Sequence, residues 1–112
     1  MKEAEVSRRI QLVAARKGCR LFRNTVGKLR DSRGRMISFG LAVGSADLVG
    51  WYVHEAKAIF LAVEVKSSVG RLRPAQQHFL EYVKRSGGIA ILARSVEDFT
   101  TAIDRWERTQ HG

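Results

Sequence analysis

Two stretches decide the reading: Gly44-Ser45-Ala46-Asp47-Leu48-Val49-Gly50 and Phe60-Leu61-Ala62-Val63-Glu64-Val65-Lys66. Both are apolar and β-prone, and both carry charge among neighbours that would strip it of water at a cost. In a strand, residues two apart share a face. Glu64 and Lys66 are therefore expected to point together, with Val63 and Val65 opposite. If the two strands are hairpin neighbours, Asp47 lies beside Glu64. Adjacent carboxylates repel unless a cation lies between them, and oxygen ligands suit magnesium, with manganese as the alternative. The Val65 carbonyl lies between the functional side chains, so Asp47, Glu64 and Val65 are the expected metal ligands.

Such a constellation fits phosphodiester hydrolysis. A divalent cation lowers the pKa of a water and offsets charge on the scissile phosphate. The Lys66 ammonium, a compact point charge, can orient the attacking water or stabilise the developing negative charge.

Reading outward, Val6, Ile10, Val13 and Ala14 recur at helical spacing and predict a helix over residues 3–17, stopped by Gly18. Cys19–Phe22 is expected as a short strand, Asn24–Arg35 as a basic mobile loop, and Met36–Phe39 as a strand or hairpin edge. Strands are predicted over Ala46–Val53 and Ile59–Val65, joined by a tight turn at His54–Lys57. Pro74, followed by Phe79, Leu80 and Val83, starts a second helix that Gly87-Gly88 ends. Ile89–Ala93 is a further strand and Val96–Trp106 a closing helix. The order describes a mixed α/β fold with helices covering a small sheet. At 112 residues the chain suits one domain, taken as residues 1–112.

The net charge is +9, and the hydrophobic share of 45% supports a folded chain. Residues 1–35 hold 11 Lys/Arg against 3 Asp/Glu, so the first third carries nearly all the positive field. That field suits a polyanionic partner such as nucleic acid. Arg23, Lys28, Arg30, Arg33 and Arg35 are the expected phosphate contacts, joined by Arg71 and Arg73 after the Glu64-Val65-Lys66 strand. Cys19, the only cysteine, excludes an intrachain disulfide and a cysteine-based zinc site, and fits a reducing compartment. No apolar signal region or membrane-length apolar run is evident, so a cytoplasmic location is expected. His54, His78 and His111 lack metal-ligand spacing. Trp51 and Trp106 are expected in packing rather than in base stacking.

The ordered motifs resemble the VRR-NUC family of the PD-(D/E)xK nuclease superfamily, in its short stand-alone phage and bacterial form. The matching segments are Leu21-Phe22-Arg23-Asn24-Thr25-Val26-Gly27, Phe39-Gly40 through Gly44-Ser45-Ala46-Asp47-Leu48, the Phe60–Lys66 stretch, Leu72-Arg73-Pro74-Ala75-Gln76 with Phe79-Leu80, and Gly87-Gly88-Ile89-Ala90. The resemblance implies a restriction-endonuclease-like α-β-β-β-α-β core, here with a C-terminal helix. It implies Asp47, Glu64 and Lys66 as the catalytic set and Gln76 as a helix residue facing the site. A supporting acid on the first helix is also implied, with Glu5 chosen over Glu3. Ala46 stands where the superfamily has proline. The resemblance further implies a magnesium-dependent DNA endonuclease acting on flaps or four-way (Holliday) junctions, a homodimer, and a bacterial or phage-infected cell. The competing readings are a catalytically silent nucleic-acid-binding module of the same fold and a structural protein with a basic surface.

Overall fold

Val6, Ile10 and Ala14 recur every fourth residue and form the buried stripe of helix α1, Glu3–Arg16. Glu3 and Glu5 sit in its first turn, where the helix dipole favours negative charge. The fold is known from a computed structural model that describes residues 2–110. After α1 come strands β1 (Cys19–Arg23), β2 (Gly27–Arg30), β3 (Met36–Phe39), β4 (Leu48–His54) and β5 (Lys57–Val65). Helix α2 (Pro74–Arg85), strand β6 (Ile89–Ala93) and helix α3 (Val96–Thr109) complete the order.

The main sheet runs β1-β4-β5-β6. Its first three strands are antiparallel, and β6 lies parallel to β5 after the α2 crossover. The period of two along β5 sends Leu61, Val63 and Val65 to the face covered by α1 and α3, where they join Ile10, Leu48, Ile91, Phe99 and Ile103. Ala62 turns to the opposite face and packs with Ala46, Leu80 and Val83 under α2. Glu64 is on that second face by the same alternation. Pro74 opens α2 at a position that needs no N–H donor, and the Ser95 hydroxyl caps α3 by accepting from the Asp98 N–H at 3.1 Å.

Three expectations from the sequence need correction. Asn24–Arg35 is not a mobile loop: Gly27–Arg30 pairs antiparallel with Met36–Phe39 in a separate two-stranded sheet. Apart from half-buried Gly27 every residue of these two strands is exposed, so no one-sided apolar alternation marks β2. The β4–β5 turn is tighter than His54–Lys57; those two residues pair, and Glu55 and Ala56 alone turn with positive φ. Asp47 stands one residue before β4 rather than inside it, because the preceding chain is bonded to Asn24 instead of continuing the ladder.

Candidate active site

Leu48 faces Val63 across the β4–β5 ladder. The next step of the register sets Asp47 against Glu64, and the Asp47 carboxylate accepts the Val65 N–H at 3.0 Å. The two carboxylates differ in environment. Asp47 is exposed, whereas Glu64 is 2% exposed and among the largest fully buried side chains. Burial first, then hydrogen bonding to Asp47 and the charge of Asp47, push the Glu64 carboxyl up to about 8; Lys66 opposes this, and Glu3 adds to it. Gln76 on α2 donates to Glu64 Oε1 at 3.4 Å, while its own Oε1 accepts the Arg73 N–H at 2.8 Å. The helix cap thus orients the amide that reaches Glu64. The other carboxylate oxygen, Glu64 Oε2, is buried with no hydrogen-bond partner.

Lys66 follows β5, and its N–H donates to the Ala93 carbonyl at 3.0 Å, extending the line of the strand by one residue. Beyond it the 67–70 turn is held from two sides. Glu3 Oε1 accepts the Ser67 N–H at 3.0 Å, and Arg94 Nη1 donates to the carbonyls of Ser67 and Gly70 at 2.6 and 2.5 Å.

Asn24 fixes the other acid. Its amide donates to Ser45 Oγ at 2.7 Å and the Ala46 carbonyl at 2.8 Å, its carbonyl oxygen accepts the Leu41 N–H at 3.0 Å, and its own N–H donates to the Asp47 carbonyl at 2.7 Å. Both donors and the acceptor oxygen of this side chain thus bind the segment that delivers Asp47.

Asp47, Asn24 and Gln76 open onto a cleft of about 800 Å³, which neither Glu64 nor Lys66 lines. Glu3, Asp47, Val65 and Gln76 line it on the acidic side, and Arg23, Lys28 and Arg73 bring positive charge to it. Of the two acids in the first turn of α1, Glu3 lines this cleft. Glu5 does not line the cleft and pairs instead with Arg9 at 3.4 Å along the helix surface. The expected cationic set also divides. Arg30, Arg33, Arg35 and Arg71 do not line the cleft. Arg30 is bonded to the Gly34 carbonyl at 2.8 Å, and Arg35 to Asp31 at 2.8 Å. The N–H of Arg35, ahead of its side chain, helps hold the Asp31 carboxyl below its ordinary range.

His54 and Trp106 belong to a separate cluster, with the His54 ring 5.1 Å from Trp106 and 3.5 Å from a Glu107 oxygen. His78 is exposed on α2, Trp51 packs on Phe22 at 5.6 Å, and His111 lies outside the described residues. Sequence reasoning did not single out Asn24 as a positioning group, nor Arg94. Asn24 had a usable signal, since it stands among the matched residues around Arg23. Arg94 had none, because its partners lie 24 and 27 residues away.

Asp47, Glu64 and the Val65 carbonyl, the ligands expected from the sequence, would offer a cation oxygen alone. No group of three or more His, Cys, Asp or Glu side chains able to hold a metal occurs among the described residues. Magnesium does not require one, since it is commonly held by one or two carboxylates together with waters and substrate phosphate. The partnerless, buried Glu64 Oε2 beside a second carboxylate is the arrangement such a cation would complete.

A fold of three helices around this mixed sheet, with two acids and a lysine at one end of adjoining strands, is a nuclease-like α/β domain. The sequence matches the VRR-NUC domain over residues 5–97, and the chain belongs to the VRR-NUC family, a family of nuclease domains. The match includes Asp47, Glu64, Lys66 and Gln76 but begins after Glu3. A solved structure described as a VRR_NUC domain protein is similar with a TM-score of 0.59 and 18% identity, over 93% of this chain and 86% of that one. At that identity the likeness speaks for the fold. A comparison with proteins of curated function gave no match.

Proposed function

We propose that this chain is a magnesium-dependent DNA endonuclease built on a PD-(D/E)xK core, with Asp47, Glu64 and Lys66 as its catalytic residues. The observation that carries the reading is the buried Glu64 carboxylate beside Asp47, one oxygen of which has no protein partner. Asp47, Glu64 and the Val65 carbonyl would hold the cation, which supplies a lowered water pKa and charge neutralisation at the scissile phosphate. The chain's own groups do the rest. Gln76 restrains the Glu64 carboxylate, the Lys66 ammonium orients the attacking water, and Arg23, Lys28 and Arg73 take flanking phosphates. Glu3 supports the turn that follows Lys66. Selectivity for four-way junctions or flaps, and action as a homodimer in a bacterial or phage-infected cytoplasm, are part of this reading by family resemblance. No helix among the described residues is long and apolar enough to cross a membrane.

The test is cleavage of a labelled four-way junction, a flap and a plain duplex, in magnesium and in EDTA, with Glu64→Ala and Lys66→Ala alongside. Magnesium-dependent cutting that both substitutions abolish supports the reading. DNA that binds but stays intact in magnesium and in manganese would replace it with a silent binding module.

A further inference from the structure

The wall of the cleft is not what phosphate binding alone requires. Phe39, at the end of β3, faces Gly27 across the hairpin, and the outer edge of its ring lies over the bare glycine backbone. A Cβ on Gly27 would stand 2.5 Å from Phe39 Cζ, so only glycine lets the ring sit there. Phe39 is 37% exposed and lines the same cleft as Asp47. Leu41 and Val43, both exposed, continue this apolar wall. Arg23 and Lys28 flank it, and neither side chain has an ion-pair or hydrogen-bond partner among the described residues. The cleft thus combines a carboxylate floor, free cations and an exposed aromatic held in place by its own hairpin.

A paired duplex offers such a wall little, because its base faces are hidden and its surface shows phosphates and groove edges. A strand with an unpaired base offers a π-face beside its phosphates, and aromatic rings stack on any base. We propose that Phe39 is a base-stacking platform, and that the cleft receives a DNA strand carrying an unpaired nucleobase next to the phosphate at Asp47. The occupant follows from charge complementarity: cations for the backbone, an apolar ring for the base. The proposal rests on reading the cleft as DNA-binding, and it narrows the substrate to a single-stranded segment or the open strand at a branch point.

The experiment is equilibrium binding in EDTA, where no cutting confuses the signal. The probes are a labelled single-stranded oligodeoxynucleotide, the same strand with abasic sites in place of its central bases, and a duplex of equal length. Wild type should bind the base-bearing strand roughly tenfold more tightly than the abasic strand, the scale of one stacked base. Phe39→Leu should lose that preference. Phe39→Trp should keep it, and fluorescence from the added indole should be quenched by the base-bearing strand alone. Equal wild-type affinity for the two single strands, or a preference that survives in folded Phe39→Leu protein, overturns the proposal. So does a Phe39→Trp fluorescence that ignores the bases, which keeps the test sound even if the leucine variant fails to fold. Failure of the nuclease reading looks different: no DNA is cut in magnesium while the base preference persists.

Discussion

Glu3 and Ser67 are joined across 64 residues of chain: the Glu3 carboxylate, in the first turn of α1, accepts the N–H of the first residue after Lys66 at 3.0 Å. Glu5, two residues on, points to Arg9 instead. The two acids should therefore separate in function. Glu3→Ala should lower cleavage by about 10- to 100-fold, the usual consequence of losing a group that supports a catalytic one. Glu5→Ala removes only an exposed ion pair, expected to contribute about 0–1 kcal/mol, and should cleave at the wild-type rate. Parallel single-turnover assays decide this, and equal loss in both variants would count against the assignment of Glu3.

Asn24 makes a prediction about stability and activity together. Asn24→Ala leaves the Ala46 carbonyl and the Leu41 N–H without the bonds that tie the 41–47 segment to β1. The Leu41 bond is exposed, but the Ala46 bond is partly buried and its loss costs about 1–3 kcal/mol, so the urea midpoint should fall. Cleavage should fall further than the unfolded fraction explains, because Asp47 is no longer held. A variant that melts earlier but cuts normally while folded contradicts the positioning role.

Arg94 should act through the turn it holds. Arg94→Ala frees the Ser67 and Gly70 carbonyls, and hydrogen bonds to a charged donor are worth about 1.5–3 kcal/mol each. The expected kinetic signature is a lower kcat with KM nearly unchanged, and partial recovery in Arg94→Lys, whose ammonium can serve one carbonyl. A rise in KM alone would place Arg94 in DNA binding instead.

The pH dependence follows from Glu64. Its carboxyl is raised from 4.5 to about 8, so between those values the folded state holds a proton that the unfolded state has lost. Stability from this group is fully present below 4.5 and declines as pH rises through about 8. In EDTA, wild type should lose stability with rising pH relative to Glu64→Gln, which has nothing to titrate there. Magnesium should offset the loss, since ligation favours the ionised carboxylate and releases the proton. Denaturant midpoints measured across this window with both proteins check the sign; parallel curves would show that Glu64 is not the group responsible.

Much of the frame was legible because burial is one-sided. The four-residue spacing of Val6, Ile10 and Ala14 and the apolar run around Val63 mark elements that face a core, and the β period alone puts Glu64 on the face opposite Val63. The nearness of Asp47 and Glu64 needed one further assumption, that β4 and β5 are hairpin neighbours, and they are. Strand β2 was hidden for the complementary reason: Lys28, Leu29 and Arg30 are all exposed, so no periodic pattern separates strand from loop. Glu3 could not be told from Glu5 without knowing where the 67–70 turn passes. The buried state of Glu64 depends on α2 closing over it, which no local pattern states.

Arg23 pairs with Leu48, so β1 leaves off at the same rung of the ladder where β4 begins, although residues 24–47 intervene. The β2–β3 hairpin is therefore an excursion from a single point of the sheet, anchored by Asn24 near both its departure and its return. Evolution can lengthen, trim or recompose that arm without disturbing the alignment of Asp47 with Glu64. On the function proposed above, chemistry and choice of substrate would then sit on separable parts of the chain, and an engineer could exchange the arm between relatives while leaving the Asp47–Glu64 rung as it stands.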